Sequence, residues 1–210
     1  MATAFPRTLM PQSSSWPKAP GGLASWSVGG VGQTRDVSQK GRSWTEEWPP
    51  LLASEAATQA FLAQVANYYA SGTILTLQHQ SRKTTLGIGT GTPLVKGASQ
   101  TGKSLITDGW TASQTGILKA GDLITLANVP WVFEVTAPCN SDGASPSVAT
   151  VPINPGILAG GSPADNAAIV VTAAAVFTCV IETEPNWPTC DPAHWYVGFK
   201  ITFREVGSLS

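Results

Sequence analysis

Gly97-Ala98-Ser99-Gln100-Thr101-Gly102-Lys103-Ser104 satisfies the phosphate-loop pattern G-x-x-x-x-G-K-[ST] letter for letter. Whether it works as one decides between two folds. A working phosphate loop follows a buried strand and opens a helix at Lys-Ser, so that backbone N–H groups and the helix dipole converge on phosphate. Here the preceding Gly91-Thr92-Pro93-Leu94-Val95-Lys96 is too short and too interrupted for a central parallel strand. The following Leu105-Ile106-Thr107-Asp108-Gly109-Trp110 is β-branched and then carries Asp-Gly, a turn signal. No apolar run ending in Asp appears downstream to hold magnesium. The match in Gly97–Ser104 is therefore read as spurious, with no cofactor-binding residue in it. Gly87-x-Gly89-x-Gly91 has no flanking strand–helix pair and is set aside on the same ground.

The stretch is read instead as the start of a small all-β module. Gly121-Asp122-Leu123-Ile124-Thr125-Leu126 and Pro130-Trp131-Val132-Phe133-Glu134-Val135-Thr136 are short strands joined by Ala127-Asn128-Val129, a hairpin loop. Ser147-Val148-Ala149-Thr150-Val151 follows the turn at Asp142-Gly143. Short strands at regular spacing without a helical period imply a small barrel or sandwich.

On either side of this module the pattern changes. Residues 1–24 are rich in Pro, Ser and Gly and read as an extended arm, not a packed element. Ser25-Trp26-Ser27-Val28 and Gly41-Arg42-Ser43-Trp44-Thr45-Glu46 read as strands. A helix is expected over Ser54–Tyr69, with Ser54 as its N-cap, Gly72 closing it and Phe61, Leu62, Val65, Tyr68 and Tyr69 as its apolar stripe. Thr73–His79 alternates as a strand with His79 in phase with Leu75 and Leu77, a packed histidine and not a ligand. Residues 168–171 and 176–183 are further strands. Trp195, Val197, Phe199, Ile201 and Phe203 share one face of a last strand with strict alternation over nine residues. The strands after the module are read as foreign to it. The fold expected is mainly β: a β-sandwich with one α-helix over 1–95 plus 160–210, interrupted by an inserted small β-barrel at 96–159.

Composition narrows the function classes. The chain has 210 residues, a formal net charge of −1 and 12% charged residues, with no basic stripe for nucleic acid. Eight tryptophans beside so few charges favour extensive protein–protein contact. Met1–Arg7 has no apolar core of a secretory signal, and Ala167–Ile181 is short of the ~20 residues of a membrane span. Cys139, Cys179 and Cys190 form an odd set, with a Cys179–Cys190 bridge left open. Cys190 and His194 lack the second ligand pair of a zinc site, and no G-x-S-x-G elbow or carboxylate pair is apparent. The reading is therefore not an enzyme, with no catalytic residue, metal or cofactor.

Several of these residues resemble a known family. Gly97 through Leu105, Asp108-Gly109-Trp110, Leu118-Lys119-Ala120-Gly121-Asp122, Asn140-Ser141-Asp142-Gly143 and Ile153-Asn154-Pro155 are similar to a module in tail-tip proteins of long-tailed bacteriophages. Arg42-Ser43-Trp44 through Trp48-Pro49-Pro50-Leu51 and the terminal Phe199–Glu205 extend the likeness over most of the chain past residue 40. The family it resembles is the siphophage distal tail protein, or a closely related phage minor tail protein. The family commonly has a small polar residue where this chain has Lys103, the residue that completes the spurious phosphate loop. The resemblance implies a structural virion protein of the tail tip, made in the bacterial host cytoplasm. It implies a homo-oligomeric, hexameric ring between tail tube protein and tip hub proteins, with a lumen for DNA. No sequence-specific nucleic acid and no membrane are expected as partners. Phe5, Leu9, Met10 and Trp16 are candidates for an assembly arm, and deletion of 2–16 is expected to weaken assembly and spare the monomer. The alternative is a carbohydrate-binding tip module contacting a host-surface glycan, with Trp110 or Trp131 as platform.

Overall fold

The computed structural model describes residues 2–15, 23–26, 32–35, 41–79, 84–171 and 175–206. In chain order the strands are β1 (Thr3–Ala4), β2 (Ser13–Ser14), β3 (Leu23–Trp26), β4 (Gly32–Arg35), β5 (Ser43–Glu47) and β6 (Leu51–Leu52). Helix α1 (Ala56–Ser71) follows, then β7 (Leu75–Leu77), β8 (Gly91–Val95), β9 (Gly102–Trp110), β10 (Leu123–Leu126), β11 (Val132–Val135) and β12 (Ser147–Ile157). The chain ends with β13 (Ile169–Val171), β14 (Phe177–Ile181), β15 (Thr189–Cys190), β16 (Trp195–Val197) and β17 (Lys200–Glu205). The protein is mainly β with one α-helix, and it divides into two compact units, residues 1–81 with 178–210, and residues 82–177. The insert expected at 96–159 lies inside the second unit, which is wider at both ends.

The first unit holds a six-stranded sheet in the order β1-β7-β14-β17-β5-β2. Alternation builds its buried face: Leu75 and Leu77 on β7, Cys179 and Ile181 on β14, Ile201 and Phe203 on β17, and Trp44 and Glu46 on β5. Helix α1 sets Phe61 against Trp48 and Phe199, with ring centroids 5.6 and 6.0 Å away. Its buried stripe is Phe61, Val65 and Tyr68, whereas Tyr69 is exposed. The cap differs from expectation. Ser54 lies in a turn after β6, and Glu55 is the N-cap without a side-chain cap bond. Gly72 closes the helix in the left-handed region, as its position predicts.

The expected nine-residue last strand is in fact two. Gly198, at φ 80°, breaks it, so that β16 joins β15 and β6 in a separate three-stranded sheet while β17 stays in the main one. Trp195 is consequently exposed, and only Phe199, Ile201 and Phe203 of the expected face are buried. Strands β3 and β4 pair as a hairpin from Leu23↔Arg35 to Trp26↔Gly32. Ser27 and Val28 of the expected strand lie outside the described residues.

The second unit is a nearly closed barrel in the order β13-β10-β11-β12-β9-β8. Its seam is a bridge between Leu94 and Ala168, flanked by hydrogen bonds from Val95 N to Ala167 O and from Asn166 N to Val95 O. Closure leaves no free edge. Strand β13, read from sequence as foreign to the module, pairs with β10 through Leu126↔Ile169 and belongs to it. The interior is filled by Leu105, Ile117, Leu118, Ile124, Phe133, Val135, Val151 and Ile153.

Two local devices curve the barrel. Asp108-Gly109 is no turn but a bulge inside β9: Thr107 and Trp110 face Ala149 and Ser147, so β9 carries an extra residue there. Gly109 sits at φ 76°, and a Cβ on it would overlap the Thr92 carbonyl. Strand β12, expected to stop at Val151, runs on through Pro152 and Pro155. A register irregularity between Pro152 and Ile157 against β9 takes Pro155 out of the ladder, where its missing N–H is not needed.

Candidate functional site

The phosphate-loop match does not form phosphate-loop geometry. Gly102-Lys103-Ser104 begins β9, so its backbone runs as strand and no helix N-terminus faces the loop. The loop is held by Gln100, whose amide donates to the carbonyls of Lys96 and Ile106 and whose oxygen accepts from Ile106 N at 2.6 Å. Gly87 serves close approach, since a Cβ there would overlap the backbone of Ile117 and Leu118.

The residues that organise the barrel ends are polar ones to which sequence reading gave no role. Asp122 is fully buried and accepts from Leu86 N (2.6 Å), Gly87 N (3.0 Å) and Lys119 N (2.8 Å). Ser141 Oγ donates to Thr111 O and accepts from Gln114 N, and Asn140 Oδ1 accepts from Gly116 N. Asp142 Oδ1 accepts from Val148 N at 2.7 Å and from Ala144 N at 3.1 Å. The Val148 N–H holds this carboxyl below its usual range, helped by Ala144 N–H, Ser147 and the charge of Lys96 against partial desolvation. A depressed folded pKa contributes stability above the unfolded value and loses it as pH falls through the folded one. Asp142→Asn should therefore be less stable than the unaltered chain at neutral pH. The Tm difference should shrink below about pH 4, and a pH-independent difference would show that the charge is irrelevant.

The tryptophans proposed as a sugar platform divide. Trp110 is buried and donates its indole N–H to Thr107 Oγ1 at 2.7 Å, so it offers no face to a ligand. Trp131 is half-buried and packs on the barrel interior.

The proposed assembly arm is corrected. Residues 2–15 are packed on their own chain, because β1 pairs with β7 and β2 with β5. Phe5 is buried edge-on against Phe203 and Phe61, at 5.2 and 6.0 Å. Leu9 is half-buried, and its carbonyl accepts from Trp48 Nε1. Met10 is exposed, and Trp16 lies outside the described residues. Arg7 makes a two-pronged ion pair with Glu46, at 2.6 and 3.1 Å, and donates to Gln78 O at 3.0 Å. His79 is inward, as its phase predicts, and its Nε2 lies 2.9 Å from both Ser15 O and Ser14 Oγ. The carbonyl can only accept, so Nε2 carries the proton. Deleting 2–16 would remove part of the core and would not spare the monomer.

The three cysteines are free thiols. Burial, reinforced by the charges of Glu46 and Glu205, raises the Cys179 thiol far above its ordinary value. Burial also raises that of Cys139. Cys190 is exposed. A chromogenic disulfide reagent should therefore titrate one thiol rapidly in the native chain and all three after denaturation. Two fast native thiols would overturn that burial pattern.

Among the described residues no cluster of three or more His, Cys, Asp and Glu could hold a metal ion, and no helix is long and apolar enough to cross a membrane. No protein-family model matches the chain, and no curated protein matches its sequence.

Proposed function

We propose that the chain is a structural virion protein of a long-tailed bacteriophage. In this reading it is the subunit of a hexameric ring at the distal end of the tail, between tail tube and tip hub, with a lumen for DNA. It acts by assembly and not by catalysis. One observation carries the reading beside the sequence resemblance. The sheet-and-helix unit is left after β7 and resumed at β14, and a nearly closed barrel is built from the chain between. That is the organisation expected of a ring-building domain decorated by an insert. Ring closure needs two different complementary surfaces on each subunit, and a chain with 12% charged residues presents few charges to desolvate at them.

The test is negative-stain electron microscopy of the purified chain at high concentration, with light scattering for mass. Six-fold rings of the corresponding mass are the expected result. A mass of one chain at every concentration overturns the self-assembling ring.

A further inference from the structure

Both edges of the main sheet are closed by one short segment. In the order β1-β7-β14-β17-β5-β2 the outermost strands are β1 and β2, which belong to the same stretch, residues 3–14. Between them lie five inter-strand spacings, about 24 Å at ~4.8 Å each. The nine steps from Ala4 to Ser13 reach about 30 Å fully extended. The segment is thus a nearly taut strap, tied down midway by Phe5 and by the Arg7–Glu46 pair. Its edge contacts are brief. Thr3 N and Phe5 N donate to Ile74 O and Thr76 O on the β7 side. On the β5 side Gln12 N and Ser15 N donate to Glu47 O and Thr45 O, and Ser15 Oγ accepts from Thr45 N at 2.8 Å.

We infer that this strap is an edge guard, which keeps β5 and β7 from pairing with the edge of a second copy of this chain. An open strand edge is a row of backbone donors and acceptors that templates another strand. The strap fills both rows with two-residue strands too short to template anything further. Freed on the β5 side alone, two copies would join antiparallel, β5 to β5, in a closed two-fold dimer. This holds whether or not the chain builds a ring.

The test opens one edge and leaves Phe5 and Arg7 in place. Gln12→Pro with Ser15→Pro removes both backbone donors and the hydroxyl acceptor that cover β5. Light scattering at equal concentration should then give about twice the average mass of the unaltered chain. A synthetic peptide of residues 9–15, added in excess, should return the mass to that of the unaltered chain by re-covering the edge. An unchanged mass overturns the inference. So does association that the peptide does not reverse, because that would be aggregation of unfolded chain.

Discussion

Arg7→Ala is expected to destabilise the first unit by about 3 kcal/mol, the low end of the range for breaking a buried ion pair. The Glu46 side chain is fully buried and Arg7 is 22% exposed, so removing the guanidinium strands a carboxylate that water cannot reach. Gln78 O would lose its donor at the same time. Removing both charges should be far milder, since an apolar pair of similar volume avoids the desolvation penalty. Arg7→Met with Glu46→Leu should recover most of the loss in urea unfolding. A loss below about 0.5 kcal/mol for Arg7→Ala, the scale of an exposed pair, would show that the pair is solvated. The same experiment separates a strap from an arm. If residues 2–15 served a neighbour, Arg7→Ala would change assembly and leave unfolding of the chain where it was.

That distinction marks what a linear reading could recover. The helix was legible because Phe61, Val65 and Tyr68 recur at 3.6-residue spacing, a property of the local chain. The hairpin of β10 and β11 was legible because its strands face each other across one short loop, with Leu123 opposite Glu134. The strap was illegible for the converse reason. Arg7 meets Glu46 39 residues away and Gln78 71 away, and Ser14 meets His79 at 65, so nothing near residues 1–15 says that they pack. Proline and serine there looked like solvent-exposed chain. They are instead residues of edge strands, where few backbone bonds are required.

Breakers misled in the same way at three other places. Asp108-Gly109 and Pro152 with Pro155 are turn signals in isolation, and Gly198 looked harmless within an alternating run. In the barrel the first two became irregularities of strand pairing that bend a sheet which must close. Gly198 became the point where one apparent strand changes sheets. A glycine or proline records that the backbone departs from regularity. Whether the departure is a turn, a bulge or a corner is set by the partner strand, which the local sequence does not contain.

Asp122 is where that logic predicts the largest effect in the barrel. Asp122→Ala is expected to cost about 3–4 kcal/mol, less than three independent charged hydrogen bonds at about 1.5–3 each, because the loop can relax. The carboxylate gathers Leu86 N, Gly87 N and Lys119 N, tying the loop that leads into β8 to the turn before β10. Asp122→Asn tests whether its acceptors or its bulk matter. The amide has nearly the same shape but offers an NH2 group where one oxygen now accepts. Whichever way it turns, at least one of Leu86 N, Gly87 N and Lys119 N would face a donor. The Asn variant should therefore lose most of what Ala loses, and amide exchange at Leu86 and Gly87 should quicken in both. An Asn variant within about 0.5 kcal/mol of the unaltered chain, the range of ordinary surface changes, would mean that the side chain fills space and the loop holds itself. The expected loss follows because a fully buried N–H that is denied an acceptor has no water to turn to.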